Sequence, residues 1–494
     1  MKRFVTNLIY KEDASFSKSV VVRFITQILL KLRGLIFLPI IAKMLGTQSY
    51  SIYSQIMITL PLLIPILMLR LEAACIRFLP GEENLKKVSN SFFTFFMIIF
   101  FFLLFVISIF FIFKEKVALV MFGSEIFKKY VILFLIVLFF ETLYTYLLNY
   151  FRTFKRIFFY SLIEIINNLL LIFLVLIIFI FYSRSIDVLL YVLISTNMFL
   201  SFVLFFLIWK EIGFSLSLKL EEVKSFIKYS VPLIPSVAML WIINMSDRYM
   251  IVHLLNLKNA GIYSASYSLS NILMFFLSPI SFVLFPTVIK LWNLGKFDEV
   301  KQKMEYSLKY YVLLSIPFVF ILSILSQYVL KILATPDFLT SQLLVFLIVF
   351  GYFFIGIYQI IVFIINLKKK TYISLIYFSV IAILNIVLNY FLIPILGIIG
   401  AALATLVSYF LLMLVTLIVT RRWFKINFNI VFFIKSVFAS LIMSVGIFFL
   451  RSDNIFYIIL IIFLSLIIYT GIMILTRALK LEDLKIIKNF FKFR

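Results

Sequence analysis

Apolar residues dominate this chain in long unbroken runs separated by short polar punctuation. About fourteen such runs, the first at 19–42 and the last at 455–476, approach or exceed the ~20 residues that cross a bilayer as a helix. They are continuous and do not alternate over ten-residue segments, which favours helices over an outer-membrane barrel. The pattern predicts an all-α integral membrane protein with about 14 transmembrane helices. Two polar gaps, 219–228 and 291–310, mix charges with Val, Phe, Met and Leu at helical spacing. Each predicts an interfacial amphipathic helix connecting two spans.

Composition sharpens this. The chain has 494 residues, 64% hydrophobic and 14% charged, where soluble domains run near half and a quarter. Mean hydropathy is +1.18. A soluble enzyme is excluded, and the short loops leave no room for a soluble catalytic domain. The 46 basic residues outnumber the 21 acidic ones, giving a net charge of +25. No loop could house a nucleic-acid domain, so the excess reads as positive-inside bias. With both termini cytoplasmic, inside segments outnumber outside ones in Lys and Arg by roughly three to one. The expected location is the bacterial cytoplasmic (inner) membrane, as a multi-pass protein.

One cysteine, Cys75, and one histidine, His253, exclude disulfides, Cys/His zinc sites and Cys–His dyads by count. No Gly-rich phosphate loop occurs. The chain is read as a non-enzyme with no cofactor and no metal site. Any transport must then run on an ion gradient, on the substrate gradient or on a partner protein.

Two short matches at nearly the same offset, about 210 and about 213 residues, suggest an internal repeat. Ile52-Tyr53-Ser54 recurs as Ile262-Tyr263-Ser264, and Ser161-Leu162-Ile163 recurs as Ser374-Leu375-Ile376, each pair at the same place in its half. The offset spans an even number of helices, so both halves start inside. That predicts two parallel six-helix repeats, 1–210 and 211–425, with a binding site at their interface. Residues 426–494 would add two transmembrane helices and a basic cytoplasmic tail.

The informative residues are ionisable groups at membrane depth, each costing ~2.5–3.5 kcal/mol on insertion scales unless it faces a cavity or a partner. Lys31 and Arg33 lie near the middle of the first span, and Arg23 lies near its cytoplasmic end. Arg23, Gln27 and Lys31 form a stripe at i, i+4, i+8. Glu141 is mid-span. Asp247 and Arg248 are adjacent, so they are not expected to face each other and each needs another partner or water. Arg70, Glu72 and Lys435 read as snorkelling side chains near span ends. For Lys31, Arg33, Glu141, Asp247 and Arg248 two readings stand: a functional cavity, or structural ion pairing between helices. Pro232 and Pro235 open the seventh span and predict a hinge. The small residues from Gly397 to Ala404 predict a close helix-packing face.

Several of these motifs, in order, resemble those of bacterial polysaccharide flippases. They are Ser230-Val231-Pro232-Leu233-Ile234-Pro235-Ser236, Asp247-Arg248, Ala260-Gly261-Ile262-Tyr263-Ser264, Pro279 and Pro286, with Pro39 to Gly46 and Tyr50 in the first half and Asn385 to Thr405 in the second. Those flippases are the O-antigen and related lipid-linked oligosaccharide exporters of the multidrug/oligosaccharidyl-lipid/polysaccharide exporter superfamily. The likeness covers about residues 18–420. One departure is Ser51, where that family usually has Gly after Tyr. The resemblance implies alternating-access transport of an undecaprenyl-pyrophosphate-linked oligosaccharide (an O-antigen, capsule or related repeat unit) from the inner to the outer leaflet. It implies a cationic cavity of Arg23, Lys31, Arg33, Arg70 and Arg248 for the pyrophosphate, with Glu141 and Asp247 as ion-coupling candidates. The implied partners are the glycan lipid, membrane lipids, and polysaccharide polymerase and chain-length machinery, with no nucleic acid. The alternative readings are a multidrug cation antiporter of the same superfamily and a membrane-embedded glycosyltransferase or polymerase.

Overall fold

The computed structural model describes residues 16–80, 82, 84–216, 220–368, 370–450 and 453–479. Within helices, the side chains of 16–21, 24, 28, 31–33, 35, 220, 222 and 371 also lie outside the described residues. Both chain ends, expected on the cytoplasmic side, lie outside them too, as does most of the basic tail. Among the described residues the fold is all helical. Among the described residues thirteen segments are long and apolar enough to cross a membrane. The chain divides into two compact units, Met1–Gly261 and Ile262–Arg494.

The first unit opens with α1 (Phe16–Leu67). Its 52 residues would extend about 78 Å as one straight helix, far beyond the ~30 Å of hydrocarbon. The helix breaks at Gly46, whose φ of 76° is open to glycine and costly for residues with a Cβ. The two pieces correspond to the expected spans 19–42 and 50–74. Then come α2 (Leu71–Phe78), α3 (Leu85–Ile112), α4 (Lys114–Phe122), α5 (Lys128–Thr153), α6 (Ile157–Phe181) and α7 (Ile186–Ile212). The unit's last full helices are α8 (Leu220–Ser230) and α9 (Ile234–Leu254), and its boundary falls within α10 (Leu257–Ser270). Here α5 packs on α7, α1 on α6, and α9 on α1. The faces left exposed carry large apolar side chains such as Phe101, Phe105, Phe202 and Phe206, which suit contact with lipid tails.

The amphipathic segment 219–228 corresponds to α8. It docks on α2 through Phe226 against Phe78, with ring centroids 4.9 Å apart, and Arg77 lies over Tyr229 at 4.6 Å. Elsewhere in the unit, Arg156 grips Glu211 with two bonds of 2.8 and 2.6 Å, while Tyr150 Oη donates to the same carboxylate at 2.9 Å. That clasp ties α5, the start of α6 and the end of α7 together.

The second unit continues with α11 (Met274–Asn293), α12 (Phe297–Leu333), α13 (Gln342–Ile361), the short α14 (Phe363–Leu367), α15 (Thr371–Leu396), α16 (Ile398–Arg421), α17 (Ile430–Phe449) and α18 (Ile455–Leu475). One expectation needs correcting. The amphipathic stretch 291–310 is not a separate connecting helix. Residues 291–293 finish α11, and from Phe297 the helix runs unbroken into the span, giving α12 its 37 residues. No helix breaker intervenes between Phe297 and the apolar run, so the polar stretch extends the span helix.

The small-residue face of α16 packs closely, as its composition suggests. A Cβ added at Gly400 would sit 2.2 Å from the Leu392 carbonyl oxygen of α15. That neighbour is backbone and cannot rotate aside. Gly400→Ala is therefore expected to destabilise the fold by about 1–3 kcal/mol or more, read as a lower melting temperature of the purified protein. Gly446→Ala serves as the control. Its Cβ would meet only Ile468 Cδ1 at 3.9 Å, so the change should be neutral or mildly stabilising.

Candidate functional site

Several of the charged residues singled out in the sequence pair with one another within the first unit. Among the described residues, the fully buried charged side chains are Glu72, Asp247 and Arg248, and all three belong to this unit.

Asp247 and Arg248 lie on α9, which is braced against the second half of α1. Trp241 Nε1 donates to the Ile58 carbonyl at 2.6 Å, and Gln55 Nε2 donates to the Arg248 carbonyl at 3.2 Å. Contrary to expectation, the two neighbours face each other. Arg248 Nη1 donates to Asp247 Oδ1 at 2.9 Å, and the same oxygen accepts from the Arg248 backbone N–H at 2.9 Å. Nη1 also reaches the Asn244 carbonyl at 2.8 Å. The side chains are only 5% and 1% exposed. The long arginine stem folds back, which spacing on a helix surface does not anticipate. Packing α9 on α1 encloses both groups, and a buried charge is tolerable only with a counter-charge.

Arg23 pairs with Glu164 of α6. Nη1 donates to Glu164 Oε2, and Nη2 lies 3.5 Å from Oε1. The guanidinium also covers the Tyr160 ring at 4.8 Å. Gln27, with its amide oxygen toward the guanidinium, accepts from Arg23 Nε at 3.3 Å. The stripe read from the sequence is thus real at Arg23 and Gln27. Its third member, Lys31, and the neighbouring Arg33 have side chains outside the described residues.

Arg70 pairs with Glu72 at 3.0 Å. In a continuous helix residues two apart diverge. Here the chain breaks between α1 and α2, with Leu69 and Arg70 both left-handed at φ 51° and 55°, and the break turns the two side chains together. Glu72 is buried and is not a snorkelling side chain; Lys435 of the second unit does reach the Thr476 carbonyl at the end of α18, at 2.7 Å.

Glu141 of α5 accepts from Asn197 Nδ2 of α7, and Asn167 Nδ2 of α6 donates to Asn197 Oδ1 at 3.2 Å. This relay joins three helices in one polar chain. Sequence reasoning passes over both asparagines. The available signal is an amide side chain inside an otherwise apolar run. Pro232 lies in a short 3₁₀ turn, Val231–Leu233, joining α8 to α9, and Pro235 sits in the first turn of α9. Proline is tolerated there because that N–H has no helical partner. Among the described residues no three His, Cys, Asp or Glu side chains form a group that could hold a metal.

In the first unit, then, Arg23, Arg70 and Arg248 are each held by a carboxylate. A guanidinium binds phosphate oxygens through the same planar fork that it offers to carboxylate.

Comparison with solved structures gives the same architecture. The lipid II flippase MurJ in an inward closed conformation matches with a TM-score of 0.75 at 20% identity, over 93% of this chain and 98% of that one. An inward-facing multidrug resistance MATE family transporter of the MOP superfamily matches at 0.65 and 11% identity, over 82% and 97%. The MATE multidrug transporter DinF-BH matches at 0.55 and 16% identity, over 82% and 95%. The chain therefore has the fold of the MOP-superfamily flippases and transporters. A MatE family model matches residues 232–391. The polysaccharide biosynthesis protein model matches residues 16–292, more than half of the chain, and the chain belongs to that family. No curated protein sequence gives a significant match.

Proposed function

We propose that the protein is a flippase that carries an undecaprenyl-pyrophosphate-linked oligosaccharide, such as an O-antigen, capsule or related repeat unit, from the inner to the outer leaflet by alternating access. The observation that carries this reading is the buried Arg248–Asp247 pair. A guanidinium at membrane depth, already paired to an anion, suits an anionic cargo that takes the carboxylate's place. Arg23 and Arg70 extend the same logic, and Lys31 and Arg33 would add charge on α1. Membership of the polysaccharide biosynthesis family favours a glycan lipid over a drug cation. The halves 1–210 and 211–425 would move against each other, with Pro232 and Pro235 as a hinge and 426–494 as an appendage. Polysaccharide polymerase and chain-length machinery would receive the product.

The test uses the purified full chain in proteoliposomes. A fluorescent undecaprenyl-pyrophosphate oligosaccharide placed in one leaflet should become accessible to an impermeant glycosidase on the other side. Ethidium uptake without glycan translocation would favour the cation antiporter. Glu141 is the first coupling candidate, because it is a carboxylate within the spans that accepts from an amide, Asn197, which Asn167 holds in turn. Glu141→Gln should remove the dependence of translocation on a pH gradient while leaving gradient-independent exchange. Unchanged pH dependence would rule Glu141 out as the coupling group.

This reading has both termini in the cytoplasm, on the strength of the loop charge bias alone. In a Cys75→Ala background, Lys258→Cys should be labelled by an impermeant thiol reagent in intact cells, and Lys296→Cys should not.

A further inference from the structure

The second unit holds a cavity of its own. A cavity of about 350 Å³ opens between the polar start of α12 and the start of α17, lined by Glu305, Tyr306, Lys309, Asn427, Asn429 and Phe432 among others. This volume is at the lower end of the range for ligand pockets, about 300–1,000 Å³. Its walls hold one charge of each sign. Glu305 and Lys309 are four residues apart on α12, so they share a helix face about 6 Å apart along the axis. The Asn427 backbone N–H donates to Glu305 Oε1 at 2.8 Å, which fixes the carboxylate, and among the described residues Oε2 has no protein donor. The Lys309 ammonium lies 5.4 Å from the centre of the Phe432 ring. The Asn429 side chain caps α17 by accepting from the Phe432 N–H at 2.9 Å, so it is held at the rim.

The cavity sits at headgroup level. Trp292 and Trp423 belong to the same end of the unit, each covered by a lysine: Lys368 lies over Trp292 at 5.1 Å and Lys370 over Trp423 at 4.7 Å. Trp292 also packs on Phe424 at 5.8 Å. Tryptophans with basic neighbours mark the membrane–water boundary. A ligand there has its polar part beside Glu305 and Lys309 and its tails in the bilayer.

We propose that this cavity binds the headgroup of a zwitterionic aminophospholipid, phosphatidylethanolamine. The phosphate would face Lys309 and the primary ammonium would donate to Glu305. The ethanolamine linker is short enough to bridge charges one helical turn apart. A phosphatidylcholine headgroup carries the same charges, but its quaternary ammonium has no N–H to donate. A purely anionic headgroup would meet Glu305 as a like charge. This proposal does not depend on what the protein transports.

Native mass spectrometry of the purified full chain with the ethanolamine, choline and glycerol phospholipids of identical acyl chains tests it. The ethanolamine lipid should bind about tenfold more tightly than the choline lipid, the size of one charge-assisted hydrogen bond. Glu305→Gln keeps an acceptor for the Asn427 N–H, so the fold should survive, which an unchanged melting temperature verifies. In that variant the tenfold preference should vanish. Lys309→Ala should weaken the ethanolamine and choline lipids alike. Equal binding of these two lipids by the unaltered protein would overturn the proposal. So would tighter binding of the glycerol lipid in an order that Glu305→Gln leaves unchanged, since that marks a basic surface for anionic lipids.

Discussion

Replacing Arg248 with alanine is expected to abolish translocation of the proposed glycan lipid. A bidentate guanidinium–phosphate contact comprises two charge-assisted hydrogen bonds, together about 3–4 kcal/mol, and its loss corresponds to roughly 10²–10³-fold in apparent affinity. Arg248→Lys should recover only part, because an ammonium is a point charge without the planar fork. The carboxylate partner makes the test sharp. Arg248→Ala leaves Asp247 buried, 1% exposed and without its guanidinium, so the single variant also risks lower protein in the membrane. The double variant Arg248→Ala, Asp247→Asn removes both charges and should restore normal membrane level. If Arg248 binds cargo, export stays absent in the double variant. If the pair only pins α9, export returns with the protein level. Surface glycan measured beside protein level separates the two outcomes.

Much of the fold is legible in the sequence because lipid enforces a simple rule. Every backbone group at depth must bond within its own helix, so a long apolar run has one outcome. That rule finds the spans, including the division of α1 near Gly46, where the apolar run pauses at Lys43 to Ser49. It fails at 291–310. A helix that leaves the membrane keeps its 3.6-residue period on both sides of the interface, so hydropathy alone cannot tell a lateral connector from a straight extension. The extension of α12 matters because Glu305 and Lys309 lie on it, ahead of the apolar run.

The charged residues at depth are legible as types and positions, and their partners are not. Arg23 and Glu164 are separated by 141 positions, and nothing in either local sequence links them. Asp247 and Arg248 mislead for the opposite reason. They are adjacent, and the geometry of Cβ directions hides what a flexible guanidinium can reach. Arg70 and Glu72 meet only because two consecutive residues adopt positive φ. In all three cases the position of a charge follows from the helix that carries it, and its state follows from the way the chain folds around it.

Exchanging the charges of Arg23 and Glu164 is the second decisive experiment. This pair is less enclosed than Asp247–Arg248, at 30% and 16% exposure, and it joins α1 to α6 at one place. Arg23→Gln alone should lower the melting temperature, because Glu164 loses its counter-charge while Tyr160 loses the cation over its ring, a contact of about 0.5–2 kcal/mol. The reversal Arg23→Glu with Glu164→Arg rebuilds an ion pair between the same two helices and should return much of the stability. It moves the guanidinium from α1 to α6, however, and puts a carboxylate where the phosphate would approach. If Arg23 guides a diphosphate, the reversed protein is stable and translocates at least about tenfold more slowly, a cost of ~1.4 kcal/mol. Translocation at the unaltered rate would make Arg23 a clasp between helices and leave anion recognition to Arg248. A lone charge at that depth is costly to insert, and a paired one much less so. That difference accounts for the carboxylate beside the buried Arg248, and for the small stability cost expected when both charges of that pair are removed.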